Sequence, residues 1–265
     1  MSGELNPYEA PQSALGPARP VQGLTFGGPP IMPFASARTR AAWAVGLLAM
    51  TMVVTVLSMA VTYTSIQGAE AQMAGRALED EDTSVSELMM YVSLALLVIA
   101  TGLGSSIAFL MWIHRVHRNL PSLGATDLRF TPGWAVGWFF VPIMNLFRPC
   151  QVMREVWRES DSAALAPDPW SGNPSPPTGS SLVGWWWALY LIMNVVNQAA
   201  FRASMRAETP ETTLVAEWIS LAGDLITFPA AIVAIRLVQT ITKNQENRHG
   251  LLAGVDPFEA GRPTS

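Results

Sequence analysis

Residues 41–63 read AAWAVGLLAMTMVVTVLSMAVTY, 23 consecutive residues without a charge. At 1.5 Å per residue a helix of this length covers about 34 Å, enough for a hydrocarbon core of about 30 Å. A lone strand in lipid would leave its backbone groups unpaired, so the stretch predicts a transmembrane helix. Outward from it, Leu88 to Ile113 is a second charge-free run, Leu182 to Ala200 a third, and Leu214 to Ile235 a fourth that carries Glu217 and Asp224. The spans 41–63, 88–113, 182–200 and 214–235 predict an all-α, four-span transmembrane helical bundle within residues 38–243. The composition agrees: of 265 residues 50% are hydrophobic and 14% charged, where a soluble domain carries about 25% charged residues.

Between the spans the sequence changes character. Residues 1–37, rich in Pro, Gly, Ala and Ser, predict a disordered tail. The loop 64–87 is acidic, with Glu70, Glu79, Asp80, Glu81, Asp82 and Glu87 against Arg76. Residues 161–181 hold five prolines and read as a linker, and 244–265 as a flexible polar tail. Gly133 to Phe147 is apolar but short, interrupted by Pro142, flanked by Arg129 and Arg148, and aromatic at Trp134 and Trp138. It predicts a re-entrant or interfacial helix–break–helix element over 130–160 that does not cross. Its second half places Val152, Met153, Val156 and Trp157 on one face and Arg154, Glu155, Arg158 and Glu159 on the other.

Basic residues choose the orientation. With four spans, thirteen Arg and Lys fall on the side of both termini and three (Arg76, Arg202, Arg206) on the other; if 133–147 crossed, the split would be eight against eight. The positive-inside rule therefore places both termini in the cytoplasm of a multi-pass protein.

The stretch from Trp112 to Trp157 carries the most distinctive pattern: Arg115, Arg118-Asn119-Leu120, Leu123-Gly124, Pro132-Gly133-Trp134, Pro142, Asn145-Leu146, Arg148-Pro149 and Arg154-Glu155-Val156-Trp157. With its flanking helices, over roughly residues 40–245, it resembles the bacterial membrane family catalogued as domain of unknown function 4328 (DUF4328). Cys150 departs from the aromatic that the pattern leads one to expect after Arg148-Pro149. The resemblance implies a multi-span protein of a bacterial inner or plasma membrane and brings no reaction, ligand or catalytic residue.

Two sets of residues are candidates for function. The first is an intramembrane polar seam: Asp224 and Glu217 project from nearly one face of span four, and Asn194, Asn197 and Gln198 form a stripe on span three. A charge in mid-membrane is costly, so the seam reads either as interhelical glue or as a path for protons or a small cation. The second is an interfacial cluster of Arg118, Asn119, Asn145, Arg148 and Glu155, which could bind a lipid headgroup or act on one. His114 and His117 beside Arg115 and Arg118 lack further metal ligands and read as a basic collar for anionic headgroups. Trp185–Trp187 reads as an interfacial belt. The small-residue row Ala100, Gly104, Ala108 serves packing within the chain or a homo-oligomer.

Excluded classes are as informative. A net charge of -4 does not favour nucleic acid as a partner, and one cysteine rules out an internal disulfide. No nucleotide loop, zinc-protease or nucleophile-elbow motif occurs, and no cofactor or catalytic residue is assigned. The sequence therefore predicts a non-enzymatic scaffold or regulatory membrane protein whose partners are the lipid bilayer and a second copy or another membrane protein. A small transporter or channel subunit using Asp224 and an interfacial lipid-binding or lipid-modifying protein are the alternatives.

Overall fold

The computed structural model describes residues 33–76, 84–161 and 181–254, and among them all regular structure is helical. The elements are α1 (Arg38–Met73), α2 (Val85–Asn119), a 3₁₀ turn (Pro121–Leu123), α3 (Pro132–Gly137), a 3₁₀ turn (Met144–Leu146), α4 (Arg148–Ser160), α5 (Ser181–Ser204) and α6 (Pro210–Gly254). α1 packs on α2 and on α6, and α5 packs on the far side of α6.

The helix ends follow from local chemistry. α2 opens with a capping box, in which the Ser84 hydroxyl accepts from the Glu87 N–H at 3.3 Å and Glu87 accepts from the Ser84 N–H at 2.9 Å. It closes before Pro121, where the 3₁₀ turn ends on Gly124 at φ 90°. α3 begins at Pro132 behind the Thr131 cap, and Pro149 occupies the first turn of α4. Thr209 accepts from the Thr212 N–H at 3.3 Å just ahead of Pro210, which starts α6.

Helix direction is fixed at one end, here termed the capped end, where α1 starts and α2 and α6 finish. Residue Ala35, just ahead of α1, bonds Asn119 at the end of α2, and Asn119 bonds Gln245 in the last third of α6. α4 also lies there, because Ser160 bonds Gln245. α2 and α6 thus both run towards the capped end, and α5 is the helix that returns the chain along α6, with Asn197 set against Gly223.

Among the described residues three helices, α1, α2 and α6, are long and apolar enough to cross a membrane. The expected count of four is corrected on this measure. α5 is a helix of 24 residues, but three tryptophans and the amides Asn194, Asn197 and Gln198 dilute its apolar character. α1 and α6, of 36 and 45 residues, are longer than the sequence predicts. α1 continues to Met73, so much of the expected acidic loop is helical; residues 77–83 lie outside the described ones. α6 continues to Gly254 with Gln245 and Arg248 buried, which corrects the flexible tail over 244–254. Of the expected leader, residues 33–37 are packed: Ala37 is buried and Phe34 stacks on His249 at 4.1 Å. Residues 1–32, most of the linker (162–180) and 255–265 lie outside the described residues.

The core is unevenly distributed. Trp112, Ile113, Val116, Leu120, Met153, Val156, Leu237 and Ile241 are fully buried at the capped end. Along the rest of the bundle, Leu96, Leu103 and Ile107 of α2 and Val53 and Leu57 of α1 are exposed. Such a continuous apolar surface is suited to lipid and ill suited to water. Of the small-residue row of α2, Ala108 is buried and Gly104 faces Leu47 of α1, whereas Ala100 is exposed. Trp186 and Trp187 are also buried, with Trp186 against Phe109 at 5.6 Å. Only Trp185 of the expected belt is strongly exposed.

Candidate functional site at the capped end

The capped end concentrates the buried polar groups. His117 and Glu155 are almost fully enclosed, with Nε2 and Oε1 3.1 Å apart. The second Glu155 oxygen accepts from the Arg129 N–H at 2.8 Å. One carboxylate thereby joins α2, α4 and the loop before α3. Glu155 was expected on the polar outer face of α4; it turns inward because its neighbours Val152, Met153 and Val156 face the core and a histidine waits there.

A second network ties α2 to α6. Asn119 Nδ2 donates to the Ala35 carbonyl at 2.9 Å and to Gln245 Oε1 at 3.3 Å. Gln245 Nε2 donates to the Val116 carbonyl at 2.8 Å and to the Ser160 hydroxyl at 3.0 Å. Arg248 donates to the Leu123 and Asp161 carbonyls at 2.9 and 3.1 Å. Trp112 Nε1 donates to Thr242 Oγ1 at 3.0 Å. Buried amides and guanidinium groups held at both ends are rigid, since each broken bond leaves a desolvated polar atom.

The segment from Pro132 to Phe147 is different. Trp134 and Trp138 stack at 4.7 Å, and the Arg148 guanidinium lies over Trp138 at 5.4 Å and over Phe130 at 5.9 Å. Arg148 also donates to Gln151 at 3.1 Å. Ile143 has φ 66° and ψ -51°, while the Met144 N–H donates to the Pro142 carbonyl at 2.7 Å. This is a γ-turn of the rare positive-φ hand, strained for a β-branched residue. It reverses the chain where Pro142 removes a donor, and Phe140 and Ile143 beside it are 71% and 72% exposed. Trp138 Nε1 and Asn145 Oδ1 are buried with no hydrogen-bond partner among the described residues. Burial pushes the neighbouring Cys150 thiol up, the Arg154 charge pulling the other way.

The five residues of the expected interfacial cluster are thus engaged separately. Asn119 serves the α2–α6 network, Glu155 the α2–α4 link, and Arg148 the aromatic face of α3, while Asn145 is half-buried beside the γ-turn. Arg118 is exposed at the end of α2.

The expected intramembrane seam is also divided. Asp224 is half-buried on α6, and Glu217 lies two turns before it on the same helix. Asn197 fills the approach of α5 to Gly223. Asn194 and Gln198 face outward, lining a groove of about 690 Å³ with Arg202 and Arg206. Asn194 Nδ2 donates to the Tyr190 carbonyl of its own helix at 2.7 Å. Among the described residues no group of His, Cys, Asp and Glu is arranged to hold a metal ion.

Sequence reasoning missed Gln245, Arg248 and Thr242 because they sit beyond the apolar run of α6. The signal was present: Val238, Ile241, Thr242, Gln245 and Arg248 recur at helical spacing on one face.

The family described as Domain of unknown function (DUF4328) matches residues 74–243. No curated protein and no solved structure matches the chain.

Proposed function

The chain belongs to the DUF4328 family, and from that premise we propose that it is a multi-pass membrane scaffold without catalysis of its own, working through assembly in a bacterial cell membrane. The observation that carries this reading is how the family-like motif uses its polar groups. Asn119 and Glu155 are 2% and 5% exposed, and their side chains bond other parts of the protein. A catalytic cluster would keep such groups open to a substrate; here they build the capped end.

Helix direction supports this placement. α2 and α6 both run towards the capped end, so α1, α2 and α6 cannot all cross unless the chain returns between them. α5 supplies the return, with about 36 Å of helix and its approach to α6 sheltered by packing. The capped end holds Arg38, Arg40, Arg115, Arg129, Arg154 and Arg158, whereas Arg76, Arg202 and Arg206 lie at the far end. The positive-inside rule then puts the capped end and both termini in the cytoplasm.

Assembly is favoured by the outward amides of α5. Lipid offers Asn194 and Gln198 neither donor nor acceptor. A carboxamide carries both, so two copies meeting through α5 about a two-fold axis satisfy one another.

Reconstitution into liposomes tests the scaffold against the transporter reading. A pH-sensitive or cation-sensitive dye inside should report the same leak for the protein, for Asp224→Asn and for protein-free vesicles. Flux that requires the Asp224 carboxylate would overturn the scaffold in favour of a transporter.

A further inference from the structure

α1 and α2 present a group of cations at the capped end that the networks described above do not use. On α2, Met111, His114, Arg115 and Arg118 lie at i, i+3, i+4 and i+7, one face of the helix. Across from them, Arg40 Nη1 donates to the Met111 carbonyl at 3.2 Å, which brings the first turn of α1 onto that face. The groups acting electrostatically on His114 are Arg40, Arg118 and Arg115, and those acting on Arg115 are Arg40 and Arg118. Arg115 Nε is buried with no hydrogen-bond partner.

Depth adds a second argument. The apolar run of α1 begins at Ala41, directly after Arg40, and that of α2 ends at Ile113, two residues before Arg115. The cations therefore sit where the hydrocarbon ends, at the level of lipid phosphates. Trp43, three residues beyond Arg40 on α1, is 67% exposed, and Met111, whose carbonyl accepts from Arg40, is also exposed. An indole and a thioether against the upper acyl chains, with guanidinium groups above them, match the two halves of a phospholipid.

We propose that Arg40, His114 and Arg115 form a binding site for a phosphate group, supplied by an anionic phospholipid of the surrounding leaflet. Two arginines offer planar forks to the phosphate oxygens, the anion relieves the repulsion between them, and the His114 imidazole adds a hydrogen-bond donor. His117, beside them in sequence, takes no part because it is enclosed with Glu155. The site rests on the proposed placement of the bundle in the bilayer.

The test is native mass spectrometry of the full chain in detergent, titrated with phosphatidylglycerol, with phosphatidylcholine or with inorganic phosphate. The wild-type chain should retain phosphatidylglycerol in preference to phosphatidylcholine. Arg40→Gln with Arg115→Gln should weaken that binding about thirtyfold, two basic contacts being lost. Arg154→Gln with Arg158→Gln, an equal loss of charge on α4, should leave it nearly unchanged. Equal effects of the two double variants, or equal retention of the two lipids, would overturn the site. Inorganic phosphate binding as tightly as the lipid would overturn the lipid as its source. Should the first double variant fail to fold, Arg115→Lys keeps the charge and loses the fork; it should bind several-fold more weakly, and unchanged binding would refute the assignment. Failure here with the topology intact sinks the site alone, because the topology is read independently by cysteine labelling.

Discussion

Replacing Glu155 with alanine removes a side chain that joins α2, α4 and the loop before α3. Its oxygens lie 3.1 Å from His117 Nε2 and 2.8 Å from the Arg129 amide nitrogen, and it is 5% exposed. Leaving the buried imidazole without its hydrogen-bond partner costs about 1.5–3 kcal/mol. The orphaned Arg129 N–H belongs to the same loss and is not added to it. For a chain of this size each kcal/mol moves the midpoint by about 2–4 °C, so Glu155→Ala should melt about 3–12 °C lower. Glu155→Gln keeps one oxygen acceptor and should lose only about 1–2 kcal/mol. Removing both ends, as in His117→Leu with Glu155→Leu, should cost less than the sum of the two single changes. The assay is thermal unfolding in detergent, followed by tryptophan fluorescence, since Trp112 lies in the same core. A Glu155→Ala midpoint within about 2 °C of wild type, a loss below about 1 kcal/mol, would refute the reasoning.

Thr242→Val is nearly isosteric but leaves the Trp112 indole N–H without its acceptor; it should cost about 1–3 kcal/mol in the same melt, whereas Thr242→Ser should retain the bond. Gly223→Ala would place a Cβ 2.5 Å from Asn197 Oδ1, so α5 or the amide must move, at about 1–3 kcal/mol; Asn197→Ala should restore most of the loss, and no rescue would place the strain elsewhere. Asn194→Leu with Gln198→Leu should weaken self-association about tenfold or more, read by energy transfer between labelled copies in liposomes, while the fold of each copy is kept. Undiminished energy transfer would remove α5 as the contact.

How much was legible beforehand depends on which neighbours a residue answers to. The apolar runs of α1, α2 and α6 stand out because lipid imposes a length and an absence of charge that one segment satisfies alone. The helix starts at Pro132 and Pro149 were visible for the same reason, since proline acts on its own backbone. Glu155 was misplaced because helical periodicity knows its own helix only: opposite charges and apolar residues around it pointed outward, and the deciding partner, His117, is 38 residues away. The reach of α6 past Ile235 was hidden because its last turns look polar in isolation and become core only against α2. The seam failed as a unit for a related reason: spacing put Asn194, Asn197 and Gln198 on one stripe, but α6 meets only its Asn197 edge. The γ-turn at Ile143 had no local signal, a β-branched residue being the least expected there.

The proposed return of α5 across the bilayer and the proposed placement of the capped end inside are tested most directly by cysteine labelling in intact cells. Cys150 is buried, and its replacement by serine gives a silent background. Single cysteines then go to Thr39 at the capped end and to Ser86 and Met205 at the far end, all three exposed positions. An impermeant maleimide should label positions 86 and 205 in intact cells and position 39 only after the membrane is opened. Labelling of position 39 from outside would invert the orientation. Labelling at 86 with protection at 205 would show that α5 does not return across the bilayer, and the four-crossing account would be wrong.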